Sequence, residues 1–139
     1  MKGVEVKNMS LGRGVFATGK FRQGQVVGSV DGDIIADPAY DSDYCIEIDQ
    51  GRSLEPATPF RYLNHSCQPN CEIVMADEQP QGQADLWVEA LRPIAPGDEL
   101  TIDYGWPAHA AIPCQCGCPE CRGWVVDAAQ LDRLPARPA

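Results

Sequence analysis

Four cysteines lie close together near the C-terminal end of the chain, at Cys114, Cys116, Cys118 and Cys121. Cysteine thiolates bind zinc tetrahedrally, and sites built only from cysteine are usually structural rather than catalytic. All four could be ligands, or three could bind zinc with a fourth residue from elsewhere. The chain has 7 cysteines, an odd number, and no secretory signal is expected at its N-terminus. We therefore expect a structural metal site in a reducing, intracellular compartment rather than a disulfide framework.

A second dense cluster of polar residues runs from Arg61 to Asn70, with the sequence RYLNHSCQPN. Asn64 and His65 offer several hydrogen-bond donors and acceptors in a short space. Pro69 restricts the backbone directly after them. Such a segment could staple the fold through side-chain hydrogen bonds or hold a polar ligand. The residues alone favour the structural role.

Taken together with three other segments, this cluster resembles the SET-domain family of lysine methyltransferases. Residues 12–17 (GRGVFA) resemble the family's cofactor-binding turn, and residues 61–70 are similar to its most specific motif. Residues 97–105 (GDELTIDYG) resemble the strand of the catalytic tyrosine, and residues 114–123 resemble the post-SET zinc motif. The four motifs occur in family order and cover roughly residues 3–126.

The resemblance implies a zinc site that differs from the four neighbouring cysteines. Its ligands would be Cys67, Cys114, Cys116 and Cys121, with Cys118 as a bystander. Zinc would then tie the polar cluster to the C-terminal segment and build one wall of the active site. The local set of 114, 116, 118 and 121 stays the alternative.

The resemblance also implies S-adenosylmethionine as the methyl donor. Asn64 and His65 would hold its methionine end and its adenine, and the main chain from Arg13 to Phe16 would meet it from the other side. Trp124 matches an aromatic residue that the family lays against the adenine, although ordinary packing is an equal alternative. The implied cofactor-binding residues are Arg13, Gly14, Val15, Phe16, Arg61, Asn64, His65, Tyr104 and Trp124.

Two tyrosines match catalytic positions of the family. Tyr104 would be the catalytic tyrosine, and Tyr44 would line the channel of the target lysine. Ile102 and Trp106 would line the same channel, although core packing is the alternative for Trp106 and is expected for Tyr62. The family usually has Phe or Tyr in place of Ile102, so we favour di- or trimethylation.

The expected function is methyl transfer from S-adenosylmethionine to a lysine amine of a basic, histone-like protein. The chain has 11 Lys and Arg against 20 Asp and Glu, a net charge of −9, which attracts a lysine-rich partner and disfavours direct nucleic-acid binding. No apolar run is long enough to span a membrane. One alternative is a non-catalytic, zinc-stapled SET-like module that binds basic peptides; another is a small zinc-binding interaction protein. A homodimer could complete the substrate groove. The protein is expected in the cytoplasm, or in the nucleus if the source is eukaryotic.

The elements that must position these residues are predicted to be short strands. Alternating apolar and polar residues predict a strand at 44–49 followed by a hairpin turn at 50–52, and another strand at 99–104. Residues 72–75 and 86–90 are predicted to pair. This pattern predicts a mainly β domain with little helix, which agrees with a SET-type fold of several small sheets and a zinc-bound post-SET segment.

Irregular segments separate these strands. Glycines at 12, 14, 19 and 24 predict turns, and residues 76–85 form a polar loop. We divide the chain into a SET domain at 3–106, a post-SET zinc-binding segment at 107–126 and a C-terminal tail at 127–139. The zinc-binding segment has few apolar residues and is expected to be disordered without metal. The tail is expected to begin as a helix.

Overall fold

The computed structural model of the chain describes residues 3–10, 12–49, 51–77 and 85–136. Within these ranges it contains short strands and short 3₁₀ helices, and no α-helix. The strands are β1 (Val4–Met9), β2 (Gly12–Ala17), β3 (Val26–Ser29), β4 (Gly32–Ile35), β5 (Ile46–Asp49), β6 (Arg52–Pro56), β7 (Asn64–His65), β8 (Cys71–Met75), β9 (Leu86–Ala90), β10 (Glu99–Ile102), β11 (Ile112–Pro113) and β12 (Trp124–Val125). The 3₁₀ helices are Phe60–Tyr62, Ala108–Ala110 and Ala128–Arg133.

The strands form four small sheets. Their orders are β1-β2-β10-β7, β3-β9-β8, β4-β6-β5 and β11-β12. All pairs are antiparallel except β10 and β7, which are parallel. The predicted mainly β architecture of several small sheets with little helix is confirmed.

The first sheet joins three of the predicted motifs. In β10, Leu100 pairs with Val15 of β2, and Thr101 pairs with Asn64 of β7. Val15 and Leu100 are completely buried, so the sheet is fixed to the hydrophobic core at this point. The pairing places the polar cluster directly beside the strand that leads to Tyr104.

Two predicted turn glycines lie in a strand instead. Gly12 and Gly14 belong to β2, which is held by β1 on one side and by β10 on the other. A Cβ atom on Gly14 would lie 2.6 Å from the Met9 sulfur and 2.8 Å from a carboxylate oxygen of Glu99. The glycine is therefore needed for close packing of neighbouring side chains rather than for a turn.

Most other predicted elements occur with shifted ends. The pairing of residues 72–75 with 86–90 is confirmed, whereas the strand predicted at 44–49 begins at Ile46 and the strand predicted at 99–104 ends at Ile102. Asp49 faces Arg52 across the predicted hairpin, although Gln50 itself lies outside the described residues. Residues 78–84 of the polar loop also lie outside them.

The tail begins with the 3₁₀ helix Ala128–Arg133, whose first turn is capped by the carboxylate of Asp127. Residues 137–139 of the tail lie outside the described part of the chain. No described helix is long and apolar enough to cross a bilayer. The division at 3–106, 107–126 and 127–139 stays a prediction.

Candidate active site

Four cysteine sulfurs converge at one point. The Sγ atoms of Cys67, Cys114, Cys116 and Cys121 all lie within 4.8 Å of one another, and those of Cys67 and Cys114 are 3.9 Å apart. Zinc with bonds of about 2.3 Å separates tetrahedral sulfurs by about 3.8 Å, so the cluster could hold a zinc ion. Cys118 is not in this group, although its sulfur lies 3.4 Å from that of Cys116.

The cysteine loop is closed by local pairing. The strands β11 and β12 pair across its base, and the amide of Cys114 donates to the carbonyl of Gly123 at 3.0 Å. Backbone N–H groups also point at the sulfurs, since Arg122 N–H donates to Cys67 Sγ at 3.3 Å. Such donors stabilise thiolates. Burial raises the pKa of the Cys67 thiol to about 11, and a bound cation would favour its thiolate form.

His65 connects the cysteine cluster to the tyrosine strand. Its Nδ1 accepts a hydrogen bond from the Tyr104 backbone N–H at 3.1 Å, and its Nε2 lies 3.4 Å from Cys67 Sγ. The imidazole is 4% exposed, and burial lowers its pKa. A neutral ring with its proton on Nε2 satisfies both contacts.

The hydroxyl of Tyr104 points back into the fold. It donates to the Leu63 carbonyl at 2.5 Å, and its ring lies 5.2 Å from that of Trp106 and 5.5 Å from that of His65. Burial, reinforced by the nearby Tyr44, raises the pKa of Tyr104 to about 12. The phenol is therefore a fixed, neutral hydroxyl at physiological pH rather than a strong base.

The predicted channel residues meet in one open cleft of about 1050 Å³. Tyr44, Ile102, Tyr104 and Trp106 all line it. Tyr44 is 43% exposed and reaches into the cleft from a segment with no regular structure, whereas the other three come from β10 and the residues after it. The cleft can thus enclose a long side chain between aromatic and aliphatic walls.

The predicted cofactor residues lie mostly outside that cleft. The Asn64 amide donates to the Arg13 carbonyl at 2.9 Å and to Glu99 Oε2 at 2.8 Å, which joins β7, β2 and β10. The Val15 side chain is fully buried, so only its backbone can meet a ligand. Phe16 is half-buried, and the Lys7 ammonium lies 5.2 Å from its ring.

Two predicted cofactor residues stand apart from this group. The Trp124 indole N–H donates to the Pro135 carbonyl of the tail at 2.9 Å. The guanidinium of Arg61 lies in the open cleft, 4.2 Å from the centre of the Tyr44 ring. The position of Arg61 follows from its attraction to Glu55, whose carboxylate is 3.4 Å away, a contact that residue spacing does not reveal.

Sequence reasoning missed three charged residues of the site. Asp103 and Arg122 form an ion pair beside Tyr104, and Glu55 holds Arg61. Asp103 and Arg122 lie inside two of the motifs quoted above, so the sequence could have indicated that both are close to the site. Nothing in the sequence around Glu55 indicates that it contacts Arg61.

Comparisons with known proteins give a consistent result. A family model described as the SET domain matches residues 12–105. The chain is 33% identical over 129 residues to the histone-lysine N-methyltransferase trithorax of Drosophila virilis, covering 82% of this chain and 3% of that protein. It is 44% identical over 66 residues to an H3 lysine-4 specific histone-lysine N-methyltransferase of Schizosaccharomyces pombe, covering 47% of this chain and 7% of that protein. The chain therefore spans only a few per cent of the length of these relatives.

A solved structure shows the same architecture. It is that of KRYPTONITE in complex with mCHG DNA and SAH, with a TM-score of 0.74 and 27% sequence identity. The match covers 88% of this chain and 28% of the other.

Proposed function

The chain belongs to the SET-domain family, and on that premise we propose that it transfers a methyl group from S-adenosylmethionine to the side-chain amine of a lysine in a histone-like protein. The observation that carries this proposal is the meeting of Tyr44, Ile102, Tyr104 and Trp106 in one cleft. Relatives named as histone-lysine N-methyltransferases and a structural neighbour solved with SAH support it.

The groups around Asn64 fit the cofactor that we propose. The Asn64 amide, the Glu99 carboxylate and the Arg13 carbonyl lie together, and since both amide hydrogens of Asn64 are used between them, the group offers oxygen acceptors suited to the ammonium of an amino acid. When bound, S-adenosylmethionine supplies a methyl group on a positively charged sulfur. We propose Arg13, Gly14, Val15, Phe16, Asn64, His65, Tyr104 and Trp124 as its binding residues, and we assign Arg61 to the substrate cleft.

The zinc ion that we propose is structural. Four cysteine ligands leave no open position for a substrate, so the metal would hold the loop and would not react. Cys67 lies two residues after His65, and His65 accepts from the Tyr104 amide. Zinc would thereby stabilise the position of the tyrosine through the chain's own hydrogen bonds.

Catalysis would depend on the protonation and alignment of the lysine. A free lysine has a pKa of about 10.4 and must lose its proton before its nitrogen can attack. Desolvation in the cleft lowers that pKa, and the proton can pass to solvent water at the open mouth of the cleft. Tyr104 keeps its own proton and orients the amine, while Tyr44, Ile102 and Trp106 wall the alkyl stem. Alignment of this kind is worth several kcal/mol, up to about 7–11 in the best cases.

The charge of the cleft supports a basic substrate. Asp41, Asp43, Glu47 and Glu72 line it, and none of them forms an ion pair with another described residue. These carboxylates would attract lysine and arginine residues that flank the target. The same charge opposes a nucleic-acid backbone, so we do not propose direct nucleic-acid binding. A homodimer and an intracellular location stay predictions.

The test is transfer of label from S-adenosylmethionine, radiolabelled in its methyl group, to a panel of basic proteins by the zinc-loaded protein. We expect label on lysine with the wild type and a loss of about 100-fold or more with Tyr104→Phe. Arg133→Lys, at an exposed position of the tail, is the control, because Arg133 lies outside the cleft and outside the proposed cofactor residues. Cofactor binding without transfer to any protein would favour the non-catalytic module, and a folded protein that binds no cofactor would overturn the proposal.

A further inference from the structure

The carboxylate of Glu55 is a shared acceptor on the central strand of the β4-β6-β5 sheet. Its Oε1 accepts from the Tyr40 hydroxyl at 2.7 Å and from the Ser42 hydroxyl at 2.6 Å. Its Oε2 lies 3.4 Å from Arg61 Nη1. The side chain is only 18% exposed, so these partners replace most of its contact with water.

One arm of this network reaches the backbone of Tyr44. Because the Ser42 hydroxyl donates to Glu55, its oxygen is left to accept, and it accepts from the N–H groups of Tyr44 at 3.1 Å and Cys45 at 3.0 Å. Residues 36–45 contain no strand or helix. Their path is therefore set by side-chain hydrogen bonds such as these rather than by regular pairing.

The other arm reaches the ring of Tyr44. Arg61 is held by Glu55 and also donates from Nη1 to the Pro56 carbonyl at 3.2 Å. The guanidinium lies 4.2 Å from the centre of the Tyr44 ring, within cation–π range. Tyr44 is 43% exposed, and its ring has its other described aromatic contact with Tyr62, at 6.4 Å between centroids.

We propose that Glu55 is a positioning residue that fixes Tyr44 as a wall of the lysine channel. Both arms begin at one carboxylate and end on one tyrosine, the first on its backbone and the second on its ring. Glu55 does not line the cleft, so it acts only through the residues it holds. This inference rests on the proposed function, since it states that Glu55 affects binding of the lysine substrate, through Tyr44, and not binding of the cofactor or the metal.

Two variants separate the arms. Glu55→Gln keeps the shape and an oxygen acceptor but removes the charge that holds Arg61, whereas Ser42→Ala cuts the backbone arm and keeps the charge. Asp33→Asn is the matched control, because Asp33 faces Glu55 on the neighbouring strand β4 and lies outside the cleft. Each variant is also made in a Tyr44→Ala background.

We expect Glu55→Gln and Ser42→Ala to raise the KM for a lysine-containing peptide about tenfold, with the KM for S-adenosylmethionine and the zinc content unchanged. In the Tyr44→Ala background neither substitution should raise the peptide KM further, because the residue through which it acts is gone. Asp33→Asn should match the wild type. A second tenfold rise in the Tyr44→Ala background would overturn the inference.

Amide hydrogen exchange tests the same network without turnover. The Tyr44 and Cys45 amides should exchange about tenfold faster in Ser42→Ala, and faster in Glu55→Gln, than in the wild type and in Asp33→Asn. Unchanged exchange in both variants would overturn the inference even if the enzyme is active. A wild type that methylates no peptide would instead refute the proposed function. The exchange rates would then still show whether Glu55 fixes the position of Tyr44.

Discussion

Arg122 holds both carboxylate oxygens of Asp103, with Nη1 3.2 Å from Oδ1 and Nη2 2.5 Å from Oδ2. Arg122 follows Cys121, and Asp103 precedes Tyr104, so one bidentate ion pair joins the cysteine loop to the tyrosine strand. Burial alone would raise the pKa of the Asp103 carboxyl, but the hydrogen bonds from Arg122 and from the Gly105 N–H, together with the charge of Arg122, outweigh it and lower the pKa. Such a planar pair fixes orientation as well as distance.

Replacing this arginine should weaken catalysis without removing the metal. In Arg122→Lys a single ammonium cannot span both oxygens, so we expect kcat to fall about tenfold while one zinc per chain is retained. Kinetics and metal analysis on the same preparation measure both quantities. Arg133→Lys, at an exposed position of the tail, is the control and should behave as the wild type. An unchanged kcat in Arg122→Lys would show that the ion pair between the cysteine loop and the Tyr104 strand does not affect catalysis.

The ionisation of Tyr104 should not appear in the working pH range. Its pKa is raised to about 12, compared with about 10 for a free tyrosine, so the hydroxyl stays protonated throughout neutral and mildly alkaline solution. The difference in tyrosinate absorbance between the wild type and Tyr104→Phe should therefore develop only near pH 12. A difference that is complete by about pH 10 would contradict the burial of the phenol.

Removing zinc should release the cysteine loop. The sequence alone predicts disorder over residues 107–126, but Val125 and Val126 are buried, with Val126 at 0% exposure, so we narrow the expectation to residues 114–123. Hydrogen exchange with and without a chelator should show lost protection in that range. Cys121→Ser should lower the zinc content well below one per chain, whereas Cys118→Ser should not change it. Equal losses in the two variants would favour the local cysteine set.

The side chain at position 102 should set how many methyl groups are added. Ile102 lines the cleft and has no hydroxyl to hold a water there, so we expect di- or trimethylated product from the wild type. Ile102→Tyr should shift the product towards monomethyllysine. Mass spectrometry of a peptide after exhaustive reaction measures the distribution. A wild type that stops at one methyl would contradict the expectation.

Glu55 should stabilise the protein in a pH-dependent way. Hydrogen bonds from Ser42 and Tyr40 and the charge of Arg61 lower the pKa of its carboxyl, although burial opposes them. A lowered pKa means that the stabilisation is present above the unfolded value of about 4.3 and is lost as pH falls through the folded value. Relative to Glu55→Gln, the wild type should gain about 1–3 kcal/mol in free energy of unfolding at neutral pH, and the gap should close in acid. Denaturant titrations at several pH values measure this difference in free energy of unfolding. A difference that does not change with pH would mean that the charge of Glu55 does not contribute.

Much of the candidate site could be predicted from short motifs. The motifs at 61–70, 97–105 and 114–123 resemble those of a known family, and that resemblance names the cysteine set of 67, 114, 116 and 121 and points to Tyr104. Spacing along the chain alone leaves the local set of 114, 116, 118 and 121 open. The pairing of β8 with β9 was also readable, because both are short apolar runs on either side of a polar loop.

The rest depends on contacts between distant segments. Gly14 looked like a turn residue, because nothing local shows that Met9 and Glu99 crowd it from two other strands. Arg61 was placed with the cofactor, whereas its charge is held in the cleft by Glu55, six positions earlier and on a different element. Charge partners across a fold are set by topology and not by spacing along the chain.

The central position of β10 also determines when the active site can form. Leu100 pairs with Val15 of β2, and Thr101 pairs with Asn64 of β7. The strand β10 therefore joins segments that are far apart along the chain. Pairings over such sequence separations slow folding, because a large loop entropy is lost before any contact compensates for it. During synthesis neither β2 nor β7 can pair with β10 until residues 99–102 have left the ribosome. The candidate site is therefore incomplete until β10 is in place, because a fragment that stops before β10 lacks the strand that lies between β2 and β7.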